Sequence, residues 1–172
     1  MDIKNRTLRN LAVIIALIML GVVLNVFDWI LMLLPNIELV TPLLIIYTYK
    51  FGAKALISAY VYAFIEIATH GFNVWNVMYL YVWAILVLIV WPLTKIKSKR
   101  IAAPIVAFTA GVYGLVFGTL CSIPFWFLNG QAFALAWIAK GLSFDIIHAV
   151  SNFATTLVLY IPLCRVMDKI KI

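Results

Sequence analysis

Two sets of polar side chains are spaced as on one face of a helix in an otherwise apolar sequence. Glu66 and His70 are four residues apart, which places them on one face of a helix. Asp145, His148 and Asn152 follow at i, i+3 and i+7 and form one stripe on a later helix. The stripe begins where a helix N-terminus would favour a carboxylate anion. An acid, an imidazole and an amide in this pattern suit the binding of a polar ligand.

Each polar residue also has a simpler structural explanation. Glu66 and His70 can satisfy one another, and Asp145 can cap its own helix. Asn152 can hydrogen-bond between helices. Together with two amides at Asn73 and Asn76, however, these side chains converge on one side of the predicted topology. The convergence predicts a polar pocket that is open to the outside.

Aromatic residues accompany the polar ones. Trp75, Tyr79 and Trp83 follow at i, i+4 and i+8 and form a stripe on one helix. Tryptophan and tyrosine are common at membrane interfaces, so an interfacial belt is the alternative interpretation. Beside a polar pocket, the same stripe could stack against a flat ligand ring.

The composition determines the kind of helix that carries these residues. The chain has 172 residues, of which 66% are hydrophobic and 11% charged, and its mean hydropathy is +1.12. A soluble domain of this size has too little interior to bury so much apolar surface. The composition therefore excludes a soluble enzyme, a nucleic-acid-binding domain and a disordered chain. It predicts an all-α integral membrane protein that forms one transmembrane domain over residues 1–172.

The apolar stretches divide into six predicted helices. Glycine or proline lies near each predicted break, including Gly141. The first helix has a possible break near Asp28, and 131–140 is expected to form a short interfacial or re-entrant piece before the last helix. The predicted helices are 8–34, 37–49, 54–70, 75–94, 102–128 and 142–166.

Basic residues orient the predicted helices. With the N-terminus in the cytoplasm, the inner segments hold twelve of the thirteen basic residues, and only Lys140 lies outside. This distribution predicts six spans with both termini inside. The first apolar run lacks a small-x-small cleavage site, so it is read as a retained helix rather than a signal peptide. Cys121 and Cys164 are then near opposite faces and do not pair.

Several chemistries have no motif in this sequence. The chain has no GxxxxGK[ST], HExxH or GxSxG pattern and no Cys/His spacing typical of a metal site. We therefore expect no catalytic residue, no metal and no cofactor. A membrane enzyme that uses Asp145 and His148 as an acid–base pair remains an alternative, because the two are close on one helix.

Longer segments resemble a known family. Ala12 and Ala16 form an AxxxA pair in the first helix, which is typical of close helix contacts. Three longer segments also carry the resemblance: NIELVTPLLIIYTYKFGAKALISAYVYAF (36–64), GFNVWNVMYLYVWAILVLI (71–89) and GLSFDIIHAVSNFATTLVLYIPLCRVMDKI (141–170). In length and layout the chain resembles the substrate-binding S components of energy-coupling factor (ECF) vitamin transporters.

The resemblance implies a function and partners. An S component sits in the plasma membrane of a prokaryote and captures a vitamin or related micronutrient from outside. A separate transmembrane coupling protein and two cytosolic ATPases then supply the energy. The family's docking alanines would correspond to Ala12 and Ala16. The string that begins Phe-Asp-x-x-His in the last helix suggests a cobalamin-like or other ring-containing ligand.

The polar and aromatic residues of the outer side define the candidate site. The residues expected to bind the substrate are Glu66, His70, Asn73, Trp75, Asn76, Tyr79, Asp145, His148 and Asn152. The alternative is a non-transport membrane scaffold similar to the MreD cell-shape proteins. A scaffold has no reason to gather polar and aromatic residues on one side.

Overall fold

The computed structural model describes residues 3–34 and 37–170, which form helices joined by short turns and contain no strand. Side chains are described from Arg6 onward. A short 3-10 turn, Gly52–Ala55, joins the second and third helices. The helices are α1 (Ile3–Leu31), α2 (Val40–Phe51), α3 (Leu56–His70), α4 (Val74–Leu93), α5 (Lys99–Cys121), α6 (Ile123–Asn129) and α7 (Gln131–Lys169).

Five helical stretches within the described residues are long enough and apolar enough to cross a membrane. Only 22–39% of the most apolar part of each stretch is buried inside the protein. Large apolar side chains such as Phe127 and Val158 point outward. In water such a surface would be very unfavourable, whereas lipid tails accommodate it. This confirms the prediction of an all-helical chain with helices that are able to span a membrane. The five stretches are Arg6–Leu31, Val40–His70, Val74–Leu93, Lys99–Asn129 and Gln131–Lys169.

The stretch Val40–His70 contains a reversal of chain direction. Glu38 and Tyr62 line the same cavity, although they lie on either side of the turn. Lys50, just before the turn, instead donates hydrogen bonds to the Met167 carbonyl at the far end of α7. Gly52 has φ +61°, a conformation that glycine adopts at little cost. The predicted break at this glycine is therefore present, and α2 and α3 form a helical hairpin.

The expected break near Asp28 is wrong, because α1 continues as one helix to Leu31. The Asp28 carboxylate lies close to the Tyr62 hydroxyl on α3, so its side chain finds a polar neighbour without a bend in α1.

Nearer the N-terminus of α1, Gly21 allows close packing against α3: an added Cβ would lie 2.6 Å from Val61 Cβ. Ser58 Oγ donates to the Leu17 carbonyl at 2.7 Å and joins the two helices there.

The separate piece expected over 131–140 is also wrong. Residues Gln131–Lys169 form one helix of 39 residues, about 58 Å long at 1.5 Å per residue. Gly141 keeps helical geometry, since a glycine inside a helix costs only about 1 kcal/mol. The reversal lies earlier instead, at Gly130, which has φ +84° between α6 and α7.

Hydrogen bonds and an ion pair hold the basic end of the bundle together. The Tyr49 hydroxyl donates to Asp168 Oδ1 at 2.9 Å, and Lys99 forms an ion pair with the same carboxylate. Lys50 Nζ donates to the carbonyls of Met167 and Ile170, both at 2.7 Å, where the last helix ends. These contacts join α2, α5 and α7 at the end opposite the cavity described next.

Candidate ligand-binding cavity

A cavity of about 550 Å³ lies at the end of the bundle that carries the acidic residues. Its walls come from the end of α1, the start of α2, and α3, α4, α5 and α7. This volume falls within the range of about 300–1,000 Å³ that is usual for small-molecule sites. Below it, the core towards the basic end is filled by fully buried side chains such as Leu44, Leu86 and Val90.

Four of the nine predicted binding residues line this cavity: Trp75, Tyr79, Asp145 and His148. Trp75 and Tyr79 come from α4, and the other two come from α7. Part of the aromatic stripe and part of the polar stripe therefore face the same space.

Asp145 is held by the backbone of α5. Gly118 N–H donates to Asp145 Oδ1 at 3.0 Å. A Cβ on Gly118 would collide with the Asp145 carboxylate, and one on Gly114 would lie 2.8 Å from the His148 carbonyl carbon and oxygen. The two glycines form a GxxxG pair, the pattern that lets two helices approach closely. Their small size allows α7 to bring Asp145 and His148 to the cavity.

His148 is fixed by a carboxylate that the sequence places far away. Its Nε2 lies 3.1 Å from Glu38 Oε1, and Glu38 Oε2 accepts the backbone N–H of Thr41 at 2.8 Å. Burial alone would raise the pKa of Glu38, but these hydrogen bonds outweigh it and lower the pKa below its ordinary value. The Phe117 ring contacts the imidazole edge to face, with centroids 4.8 Å apart. The imidazole is therefore held between a carboxylate and an aromatic ring.

Asn152 lies one turn further along α7 and does not line the cavity. It is fully buried, and its Nδ2 donates to Thr41 Oγ1 at 3.3 Å. Its amide oxygen is buried without a hydrogen-bond partner in the described part of the chain. Asn152 therefore links α7 to α2 beneath the cavity and Glu38.

The other four predicted residues also lie outside the cavity lining. His70 Nδ1 pairs with Glu66 Oε2 at 3.2 Å, and the His70 side chain is 54% exposed. Asn73 Oδ1 accepts the Asn76 N–H at 3.0 Å and caps α4. Asn76 Nδ2 donates to the Gly71 carbonyl at 2.7 Å and fixes the loop before that helix. In this structure these four side chains serve local pairing and capping.

Aromatic rings cover much of the cavity wall. Tyr62 stacks on Tyr79 with ring centroids 5.7 Å apart, and Trp83 lies against both rings. On the other side Trp75 packs against Trp137 with centroids 5.9 Å apart. These distances suit aromatic packing.

The sequence did not identify several lining residues as part of the site. Asp28 and Glu38 are noticeable in the sequence as acids in the outer half, but helix spacing does not connect them with α7. Tyr62, Trp137 and Lys140 carry no pattern that separates them from an interfacial belt or a loop. The GxxxG pair of α5 is the one sequence signal that could have predicted the close approach of α5 and α7.

Two buried polar nitrogens in the lining residues lack a partner. They are Nδ1 of His148 and Nε1 of Trp83, and neither has a hydrogen bond within the described residues. Each such buried group costs about 1–3 kcal/mol unless something pairs with it. Among the same residues, no group of three or more histidine, cysteine, aspartate or glutamate side chains could hold a metal ion.

The proposed docking alanines differ in exposure. Ala12 is exposed and Ala16 is half-buried, while Leu17 and Leu24 are fully buried against the bundle. Ala12 is therefore open to contact by another helix, and Ala16 only in part.

Comparison of the chain with protein-family models, with curated proteins and with solved structures gave no match.

Proposed function

We propose that this protein is the membrane-embedded binding subunit of an ECF-type importer. It captures a vitamin-like nutrient from outside the cell and passes it on with a transmembrane coupling protein and two cytosolic ATPases. The observation that carries the proposal is the cavity of about 550 Å³ at the acidic end, which joins aromatic walls to buried Asp145 and His148. Such a mixture of apolar area and a few fixed polar groups is typical of ligand sites.

The proposed topology has six spans, with the α2–α3 hairpin crossing twice and both termini in the cytoplasm. The hairpin arms have 12 and 15 residues, fewer than the roughly 20 that a perpendicular span needs. The reversal at Gly52 supports two passages nevertheless, because Lys50 and Tyr62 lie towards opposite ends of the bundle. The loop 95–100 then joins the basic end, as expected of a cytoplasmic face in a prokaryotic plasma membrane.

The packed core below the cavity supports the need for partners. A ligand in the cavity has no open route towards the basic end, because buried side chains from α2, α4 and α5 fill the space between. Release inside therefore requires a rearrangement, for which an ATP-driven coupling protein supplies the energy. The AxxxA pair of α1, with Ala12 exposed and Ala16 half-buried, is the surface that we assign to this contact.

The cavity volume favours a ligand of drug-like size over a cobalamin-like one. A corrinoid with its nucleotide tail is much larger than the molecules that cavities of this class enclose. One or two rings would contact both the aromatic α4 wall and the polar α7 wall.

Mass spectrometry of small molecules that co-purify with the protein tests this function. We expect one compound to be retained by the wild-type chain and lost when Asp145 and His148 are both replaced by alanine. Uptake of that compound by cells should require co-expression of a coupling protein and its ATPases. A protein that retains no specific small molecule, and whose deletion changes cell shape without changing uptake, would favour a scaffold.

A further inference from the structure

The cavity has an excess of negative side chains. Asp28, Glu38 and Asp145 line it, against one lysine, Lys140, and one histidine, His148. Glu38 is paired with His148, with Glu38 Oε1 3.1 Å from His148 Nε2. Neither Asp28 nor Asp145 forms an ion pair anywhere in residues 6–34 and 37–170.

These two carboxylates lie on different walls of the cavity. Asp145 lies on α7 and receives one backbone hydrogen bond, from Gly118. Asp28 lies on α1 beside the Tyr62 hydroxyl. A cation between these walls would face both carboxylates in a site with a low dielectric constant, where electrostatic attraction is stronger than in water. An anion there would be repelled by both.

The aromatic walls have the same preference. Aromatic ring faces carry partial negative charge and attract cations, with tryptophan the most effective ring. Trp75, Trp83 and Trp137 all line the cavity, together with Tyr62 and Tyr79. The acidic side chains and the aromatic lining of the cavity therefore both favour a positively charged ligand.

From these observations we infer that the cavity selects a small planar organic cation, an aromatic ring with a positively charged amine or ring nitrogen. The inference rests on the binding role proposed above and narrows its ligand. Asp28 and Asp145 balance the charge, and the aromatic residues of α4 contact the ring.

Three compounds with one indole ring and different charges test the inference: tryptamine (cation), indole-3-acetamide (neutral) and indole-3-acetate (anion). Binding to the purified protein in lipid nanodiscs is followed by ligand-observed NMR. For molecules with about a dozen non-hydrogen atoms, measurable affinity is expected by about 10 mM. We expect tryptamine to bind at least tenfold more tightly than indole-3-acetate, with the amide between them. Choline serves as a cation without a ring and should bind more weakly than tryptamine.

Matched variants test whether the preference for a cation depends on the two carboxylates. Asp145→Asn and Asp28→Asn should each weaken tryptamine binding about tenfold and change indole-3-acetamide binding little. Asp168→Asn, the same substitution at the basic end of the same helix as Asp145, should leave both unchanged. Circular dichroism and thermal unfolding show whether each variant is folded, and two carboxylate variants are available in case one is not.

The inference is overturned if indole-3-acetate binds as tightly as tryptamine. It is also overturned if choline matches tryptamine, if both carboxylate variants keep the tryptamine preference, or if none of the indoles binds by about 10 mM. An anionic or neutral compound identified by co-purification would refute the charge assignment but leave the proposed binding function intact. Absence of any retained nutrient would instead count against that function.

Discussion

The backbone N–H of Gly118 on α5 donates a hydrogen bond to the Asp145 carboxylate on α7, across 3.0 Å and 27 residues of sequence. This contact exists because Gly118 has no side chain: a Cβ at that position would overlap the carboxylate. One small residue therefore both lets two helices pack and holds an acid at the cavity wall.

Gly118→Ala should disturb the cavity directly. The added methyl group displaces the Asp145 carboxylate and removes its hydrogen bond, which is expected to cost about 1–3 kcal/mol. Ligand affinity should fall at least tenfold in calorimetry with the co-purified compound. Gly141→Ala is the matched control for stability, because a Cβ there meets no protein atom within 4 Å and points to open space beside the cavity that Gly141 lines. It should be as stable as the wild type or slightly more so. Wild-type binding by Gly118→Ala would contradict the role of Gly118.

His148→Ala should weaken both binding and folding. It removes a side chain from the cavity and leaves Glu38 buried with one partner fewer, at a cost of about 1–3 kcal/mol. We expect at least tenfold weaker ligand binding and a lower midpoint in thermal unfolding. His70→Ala is the control for binding, since that side chain lies outside the cavity lining. It also leaves the buried Glu66 with one partner fewer, so it should lower stability to a similar extent while ligand binding is unchanged. If His70→Ala reduced binding as much as His148→Ala, the assignment of the cavity would be wrong.

Much of this site follows from helix periodicity, and the rest depends on long-range contacts. Spacing alone placed Asp145 with His148 and Trp75 with Tyr79, because residues three or four apart share a helix face. Spacing cannot say which helix lies opposite, so the contact between Glu38 and His148, 110 residues apart, could not be predicted.

Because spacing does not show long-range contacts, it also could not show which predicted binding residues lie outside the cavity lining. Glu66, His70 and Asn76 are on the expected side of the molecule, but their side chains turn towards local partners. Of the fold, the helical class and the reversal at Gly52 were predictable from composition and a glycine. Continuity through Asp28 and Gly141 was not, because neighbouring helices stabilise those segments and sequence alone does not show them.

Substitution of the small face of α1 should separate binding from transport. Ala12→Trp and Ala16→Trp place a large ring where we propose that the coupling protein docks, more than two helical turns from Asp28. Nutrient uptake by cells should be lost, while binding to the purified protein stays within twofold. Leu11→Trp, at an exposed position beside the pair, should transport normally. Normal uptake by both alanine variants at normal expression would refute the interface.

Cysteine accessibility should report the orientation in the membrane. Single cysteines at Phe72 and Asn129 should react with an impermeant maleimide added to intact cells, and one at Ser98 should react only after lysis. Phe72 is preferable to Asn73, because loss of a helix cap costs about 1 kcal/mol. The native Cys121 and Cys164 are buried and give a low background. Labelling at Ser98 in intact cells would exclude the proposed six-span topology.

A structure of the protein with its co-purified compound bound tests the central claim most directly. The proposed function predicts that the compound occupies the cavity at the acidic end, in contact with Asp145 and His148 on one side and with Trp75 or Tyr79 on the other. A compound bound at the basic end beside Lys99, or on the lipid-facing surface with this cavity empty, would contradict it.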